Sequence, residues 1–144
     1  MNFPDRKAFC DTSFFFASLV PEDANYERAG DILVFCKENA LTFCTTWDVI
    51  SETVTLLRYR ANYGLAVQFM DAVKPSLLIV RYDDSVRQTA EKVFRKFGRD
   101  KRLSYCDAVS YVVVTSLLGN IPSFSFDKDF RALGLTVYPA RRED

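Results

Sequence analysis

Short apolar runs alternate along this chain with longer segments of helical period. Lys7-Ala8-Phe9-Cys10 is a run of strand length that stops at Asp11, and Phe14 to Leu19 reads as a short buried helix closed by Pro21. From Asn25 to Asn39, Ala29, Ile32, Leu33 and Cys36 recur at i, i+3, i+4 and i+7, which predicts an amphipathic helix. Leu41 to Thr45 is rich in strand formers. A helix is predicted from Trp47 to Tyr59, with one apolar stripe of Trp47, Ile50, Val54 and Leu57 and a second of Val49, Thr53 and Leu56. Leu65, Ala66, Phe69, Met70 and Val73 form the face of another helix, ended by Pro75.

The second half repeats the pattern. Leu77 to Val80 is a continuous apolar run of strand length. Asp84 or Ser85 is the expected cap of a helix with core face Val86, Ala90, Val93, Phe94 and Phe97, ending at Gly98. Tyr105 to Leu118 is apolar for most of its length; that length predicts a buried helix in spite of its valines. Ser123 to Phe126 and Leu135 to Tyr138 are the last two strands, and 141–144 is expected to be a frayed tail. Five strands separated by helices predict an α/β fold, in one domain over 1–144, with a mainly parallel sheet covered on both faces. Sites in such sheets form beyond the carboxyl ends of the strands.

Composition narrows the chemistry. The 144 residues include no histidine, which excludes a Ser-His-Asp triad, a Cys-His pair and His metal ligands. Lys+Arg and Asp+Glu are 19 each, so a strongly basic nucleic-acid binder is not expected and any such role needs a local patch. No apolar run of about 18 residues predicts a membrane span. Met1-Asn2-Phe3-Pro4-Asp5 has no signal-peptide layout. Cys10, Cys36, Cys44 and Cys106 form no C-x-x-C pair and read as reduced thiols of a cytoplasmic protein rather than a zinc site.

The acidic residues then stand out by position. Asp11 follows the first strand and Asp127 the fourth, so both are expected at one edge of the sheet. Glu52 falls on the second stripe of its helix, and Asp107 lies in the first turn of an otherwise uncharged helix. Clustered carboxylates repel and need a cation. An all-oxygen ligand set suits Mg²⁺ or Mn²⁺, and such an ion supports hydrolysis of a phosphate ester without histidine.

At this point the motifs match a family. Phe9-Cys10-Asp11-Thr12-Ser13, Ser51-Glu52, Leu103 to Ser110 and Phe124 to Phe130 stand in an order and spacing that resembles the PIN domain. Within it the chain is similar to the VapC-like, toxin-type ribonucleases of bacterial and archaeal toxin–antitoxin pairs. The resemblance implies a three-layer α/β/α fold, a Mg²⁺ or Mn²⁺ site, cleavage of single-stranded or structured RNA, a cognate antitoxin and a homodimer. Carried over by position, Asp11, Glu52, Asp107 and Asp127 are the metal-binding and catalytic set, supported by Ser13, Ser125 and Asp129. Asp100 is the nearest acidic residue upstream of Asp107.

Each carboxylate also has a plainer reading. Asp11 is placed to cap the helix after it, Ser104-x-x-Asp107 has the form of a capping box, and Asp127 is placed to cap a turn over Lys128–Ala132. Glu52 has Arg58 and Arg60 as possible partners. Separately these suffice; they do not explain the four together. From 81 to 102 there are eight basic residues against four acidic ones. Among these, Arg87, Arg95, Lys96, Arg99, Lys101 and Arg102 are candidate RNA contacts, with a solvated helix face as the alternative. Phe14-Phe15-Phe16 cannot all face one direction, which points to one exposed ring for a partner. A catalytically silent PIN-like module binding RNA or protein is the alternative function. An aspartyl-nucleophile phosphatase is disfavoured, because Ser13 stands where that chemistry wants a second Asp.

Overall fold

Five strands form in the computed structural model, which describes residues 2–140: β1 (Lys7–Cys10), β2 (Thr42–Thr45), β3 (Leu78–Ile79), β4 (Ser123–Phe124) and β5 (Val137–Tyr138). They lie in one sheet in the order β3-β2-β1-β4-β5, each neighbouring pair parallel. Seven α-helices flank them among the described residues: α1 (Thr12–Leu19), α2 (Tyr26–Glu38), α3 (Trp47–Arg60), α4 (Tyr63–Gln68), α5 (Asp84–Phe97), α6 (Tyr105–Ser116) and α7 (Lys128–Arg131). The result is the expected three-layer α/β/α arrangement. The expected frayed tail, 141–144, lies outside the described residues.

The sheet starts at its own centre. From β1 the chain steps outward to β2 and β3, then returns to the other side of β1 for β4 and β5. The order therefore reverses between β1 and β4, and a crevice opens beyond their carboxyl ends. Register fixes that end: Phe9 pairs with Ser123 and Cys10 with Phe124. Thr45 Oγ1 donates to the Cys10 carbonyl at 3.0 Å, so β2 ends level with β1.

Burial explains which runs became which elements. Ala8, Phe9 and Cys10 are fully buried in succession, as a strand covered on both faces requires. Helix α6 buries Val112, Val113 and Val114 in a row, and burial on several sides overrides the strand preference of valine. Gly119, at φ +61°, supplies the left-handed turn that leads the chain from α6 towards β4. The aromatic core sits against β4, where the Phe124 ring stacks on Phe14 at 5.1 Å and meets Phe3 and Phe43 at 5.5 and 6.0 Å.

Some local expectations shift. The cap of α5 is Asp83, whose side chain accepts from the Ser85 amide, one residue before the predicted pair. Helix α4 runs on through a wide turn at Phe69–Val73 into a tight one at Lys74–Ser76, and Pro75 sits at the start of that tight turn. Phe14 and Phe15 are buried and Phe16 is half-buried, so the triplet presents no fully exposed ring. Three residues assigned to apolar faces reach solvent: Trp47 at 52%, Phe94 at 41% and Met70 at 37% exposure.

The Phe124 contacts make a stability prediction. Phe124→Ala should lower unfolding stability by about 3–5 kcal/mol, the range for emptying a buried aromatic site. Urea titration followed by circular dichroism checks it; a loss below about 1 kcal/mol would mean that this core does not hold β4 to α1.

Candidate functional site

Three of the four predicted carboxylates converge beyond β1 and β4. Asp11, Asp107 and Asp127 each offer an oxygen, and these oxygens all lie within 4.8 Å of one another. They come from three separate pieces of the fold: the end of β1, the first turn of α6, and the cap of α7.

Asp11 stands at the cap position of α1, but its side chain makes no capping bond. Its Oδ2 accepts instead from Ser125 Oγ at 2.8 Å and from Ser13 Oγ at 3.0 Å. Each serine oxygen in turn accepts a backbone amide: Asp127 N–H donates to Ser125 at 3.1 Å, and Phe126 N–H donates to Ser13 at 2.9 Å. Two amides after β4 are thus linked through two hydroxyls to one carboxylate after β1. Ser13 and Ser125 both lie against Asp11.

Asp107 and Asp127 do cap their helices. Asp107 Oδ2 accepts the Ser104 amide at 3.1 Å while Ser104 Oγ accepts the Asp107 amide at 3.0 Å, a complete capping box. Asp127 Oδ1 accepts the amides of Asp129 at 2.8 Å and Phe130 at 3.4 Å. The capping reading therefore holds at both positions, and each cap fixes the direction of its carboxylate. Asp129 meets the site through its backbone amide, next to Asp127.

Burial and crowding act together on these acids. Asp11 is 2% exposed, and its pKa is raised to about 6; burial drives it up, the Ser125 and Ser13 hydrogen bonds pull it back, and the Asp127 charge adds to the rise. Asp107 is raised to about 7 by burial first and by the charge of Asp11 next. Two unit charges at such separations repel by about 3 kcal/mol at an effective dielectric near about 20. Among the described residues no ion pair relieves them; the one ion pair, Arg87 with Asp48 at 3.5 Å, lies to the side. An all-carboxylate set of this spacing fits a hard divalent cation, whose ligands on opposite sides stand about 4.2 Å apart for Mg²⁺.

Glu52 stands outside the trio. It is half-buried and lines a groove of about 770 Å³ alongside, together with Trp47, Asp48, Tyr82, Arg87 and Cys106. Cys106 is the link between groove and trio. Burial pushes its thiol far up, and the charges of Glu52, Asp11, Asp107 and Asp48 push it further, so it stays protonated. The other thiols are free and buried, with no group of three poised on a metal among the described residues.

The basic stretch divides. Arg81 and Arg87 line the groove, whereas Lys96 and Lys101 fold over the Phe97 ring at 5.2 and 5.4 Å. Arg95, Arg99 and Arg102 are exposed and outside the groove lining, as is Asp100. Sequence reading missed Asp48 and Tyr82, which share a short hydrogen bond from the Tyr82 hydroxyl to Asp48 Oδ2. The available signal was the spacing of Asp48 and Glu52, one helical turn apart.

Comparison with known proteins follows the same lines. The family model described as PIN domain matches residues 8–135. A VapC ribonuclease of Archaeoglobus fulgidus is 31% identical over 126 residues, covering 85% of this chain and 78% of the relative. Among solved structures, VapC20 of Mycobacterium tuberculosis, titled a Sarcin-Ricin loop cleaving toxin, matches with a TM-score of 0.76 at 23% identity over 89% of this chain and 95% of that one. FitAcB of Neisseria gonorrhoeae matches with a TM-score of 0.57 at 14% identity over 91% and 96%. At these identities both structures speak for the fold. Since the family model spans residues 8–135 and the VapC relative is 31% identical over 85% of the chain, this protein belongs to the PIN domain family and is VapC-like.

Proposed function

We propose that this chain is a divalent-metal-dependent endoribonuclease that hydrolyses phosphodiester bonds of RNA, acting as the toxin of a toxin–antitoxin pair. The observation that carries the reading is the convergence of Asp11, Asp107 and Asp127 at the crevice between β1 and β4. The relatives named VapC ribonuclease and Sarcin-Ricin loop cleaving toxin support RNA as the substrate, in single-stranded or looped form. The partners that go with it are an antitoxin chain and a second copy of this chain. No described helix is long and apolar enough to cross a membrane, in keeping with a cytoplasmic enzyme.

In this mechanism Asp11, Asp107 and Asp127 would hold Mg²⁺ or Mn²⁺, with Glu52 as the fourth acidic group on the groove side. The bound ion supplies Lewis acidity and an acidified water. Ser13 and Ser125 keep Asp11 ionised and aimed, since a carboxylate that accepts two hydroxyl hydrogen bonds holds its charge better when buried. The capping bonds of Asp107 and Asp127 fix the other two acids against rotation. Glu52 would orient the attacking water or take its proton. Cys106, held as a thiol, contributes bulk and no nucleophile.

Cleavage of a single-stranded RNA should require Mg²⁺ or Mn²⁺ and stop with chelator. Asp11→Asn and Glu52→Gln should each lower the rate by at least about 100-fold, on the scale of a lost acid–base or charge-stabilising group, with an unchanged circular dichroism spectrum. Full-rate cleavage by both variants would sink the mechanism.

The raised acids also set a pH dependence of stability in chelator. A folded-state pKa above the unfolded value means that the folded chain binds protons more tightly, so stability is lost as pH rises from about 4 through the folded value of about 6 for Asp11. Asp11→Asn, which carries no charge, should therefore be more stable than wild type at about pH 8 and not at about pH 4. Thermal melts at the two pH values check the sign; an equal difference at both would contradict it. Ser125→Ala removes a hydrogen bond that lowers the Asp11 pKa, so the acid limb of its pH–rate profile should move to higher pH. A profile that merely drops in height would assign Ser125 a packing role only.

A further inference from the structure

Beside the acidic trio, the groove has a composition that cutting a phosphodiester does not by itself require. Its volume of about 770 Å³ lies in the range of small-ligand pockets. One rim carries Trp47, which is 52% exposed although it lies in the first turn of a helix whose next two residues inward, Val49 and Ile50, are buried. The Lys74 ammonium stands 5.3 Å from the indole centroid and restrains the ring. Another stretch of wall carries Arg81, Tyr82 and Arg87.

That wall is braced. Tyr82 hydroxyl donates to Asp48, Arg87 bonds the other oxygen of Asp48 at 3.5 Å, and the Arg87 guanidinium lies 5.2 Å over the Tyr82 ring. The Tyr105 hydroxyl reaches the Arg87 carbonyl at 3.5 Å. Residues from α3, the β3–α5 connection, α5 and α6 thus lock into one another, and the wall is set before any ligand arrives. An exposed indole and two arginines lining one groove match one chemistry above others: a flat π-face with an anion attached to it. A nucleotide has that form, and base–aromatic stacking with backbone cations is how single strands are gripped.

We propose that this groove is a nucleotide subsite, in which the base next to the scissile bond stacks on Trp47 while Arg81 and Arg87 meet its phosphate. This rests on the ribonuclease reading above, because Glu52 and Cys106 join the groove to the acidic trio. It assigns Trp47 the role of choosing where the strand sits, apart from the acids that would cut it. A second copy of the chain is the competing occupant of an exposed tryptophan. The two arginines and the opening towards the acids favour RNA.

The protein supplies its own reporter, since Trp47 is the one tryptophan in the sequence. In the full-length Asp11→Asn variant with chelator, a mixed-sequence 8-mer of single-stranded RNA should quench tryptophan fluorescence saturably. An abasic oligomer of equal length should bind without quenching. Trp47→Ala in the same background should weaken 8-mer binding, read by anisotropy of a labelled oligomer, by about tenfold, and Trp47→Phe should restore most of it. Arg81→Gln should lower the slope of log affinity against log salt by about 0.7.

Binding by anisotropy without quenching, or equal affinity for wild type and Trp47→Ala, overturns the subsite. So does fluorescence that follows protein concentration instead of RNA, which would place a second copy on Trp47. The enzyme reading is tested separately by metal-dependent cleavage with wild type. Quenching without such cleavage would keep the subsite and remove the nuclease, whereas cleavage without quenching would do the reverse.

Discussion

A buried carboxylate beside two others is the constraint from which the rest of this site follows. Asp11 lies almost out of contact with solvent at the end of the central strand, where its charge is costly. Two hydroxyl donors offset part of that cost. They reach Asp11 only because Cys10 and Phe124 are paired across β1 and β4, which brings the residues after each strand side by side. The sheet register is therefore an electrostatic device as much as a structural one: a shift by one residue would turn Ser125 to the other face and leave Asp11 without a donor. The reversal of strand order supplies the space, and the helix caps supply the other two acids.

Most of this arrangement was readable before any coordinates. The five strands follow from short apolar runs, and the order of the acidic motifs resembles that of the family to which the chain belongs. What period and spacing do not contain is depth and distance between elements. Trp47 occupies an apolar stripe of α3 by its spacing, yet it stands where the groove opens and the stripe runs out of neighbours. Asp48 and Tyr82 are 34 residues apart, so nothing local to either announces their bond. The cap of α5 falls among Asp83, Asp84 and Ser85, where adjacent residues are chemically equivalent as caps and only backbone geometry chooses. Glu52 was grouped with the trio by motif, whereas its position on α3 puts it on the groove side.

The balance of 19 acidic and 19 basic residues also takes on a spatial meaning. Three carboxylates meet beyond β1 and β4, and the positive charge of residues 81–102 is spread over a helix and its flanks, with Arg81 and Arg87 lining the groove and two lysines folded onto Phe97. A polyanion would thus meet weak, distributed attraction along α5 and strong, ion-dependent attraction only at the crevice. Helix capping and metal holding, which look like rival explanations for Asp107 and Asp127 in the sequence, prove compatible in three dimensions, because a carboxylate has two oxygens and a cap engages one.

The sheet ends on both sides in strands of two residues, β3 and β5. So short an edge offers a neighbouring chain almost no ladder to extend, even though Leu78 on β3 is 43% exposed. Strand addition is in that way disfavoured at either edge, and what the protein presents outward is side chains, among them Tyr59 and Tyr63, which stand open on either side of Arg58. Recognition by side chains can be tuned residue by residue, whereas recognition by strand addition is largely indifferent to sequence.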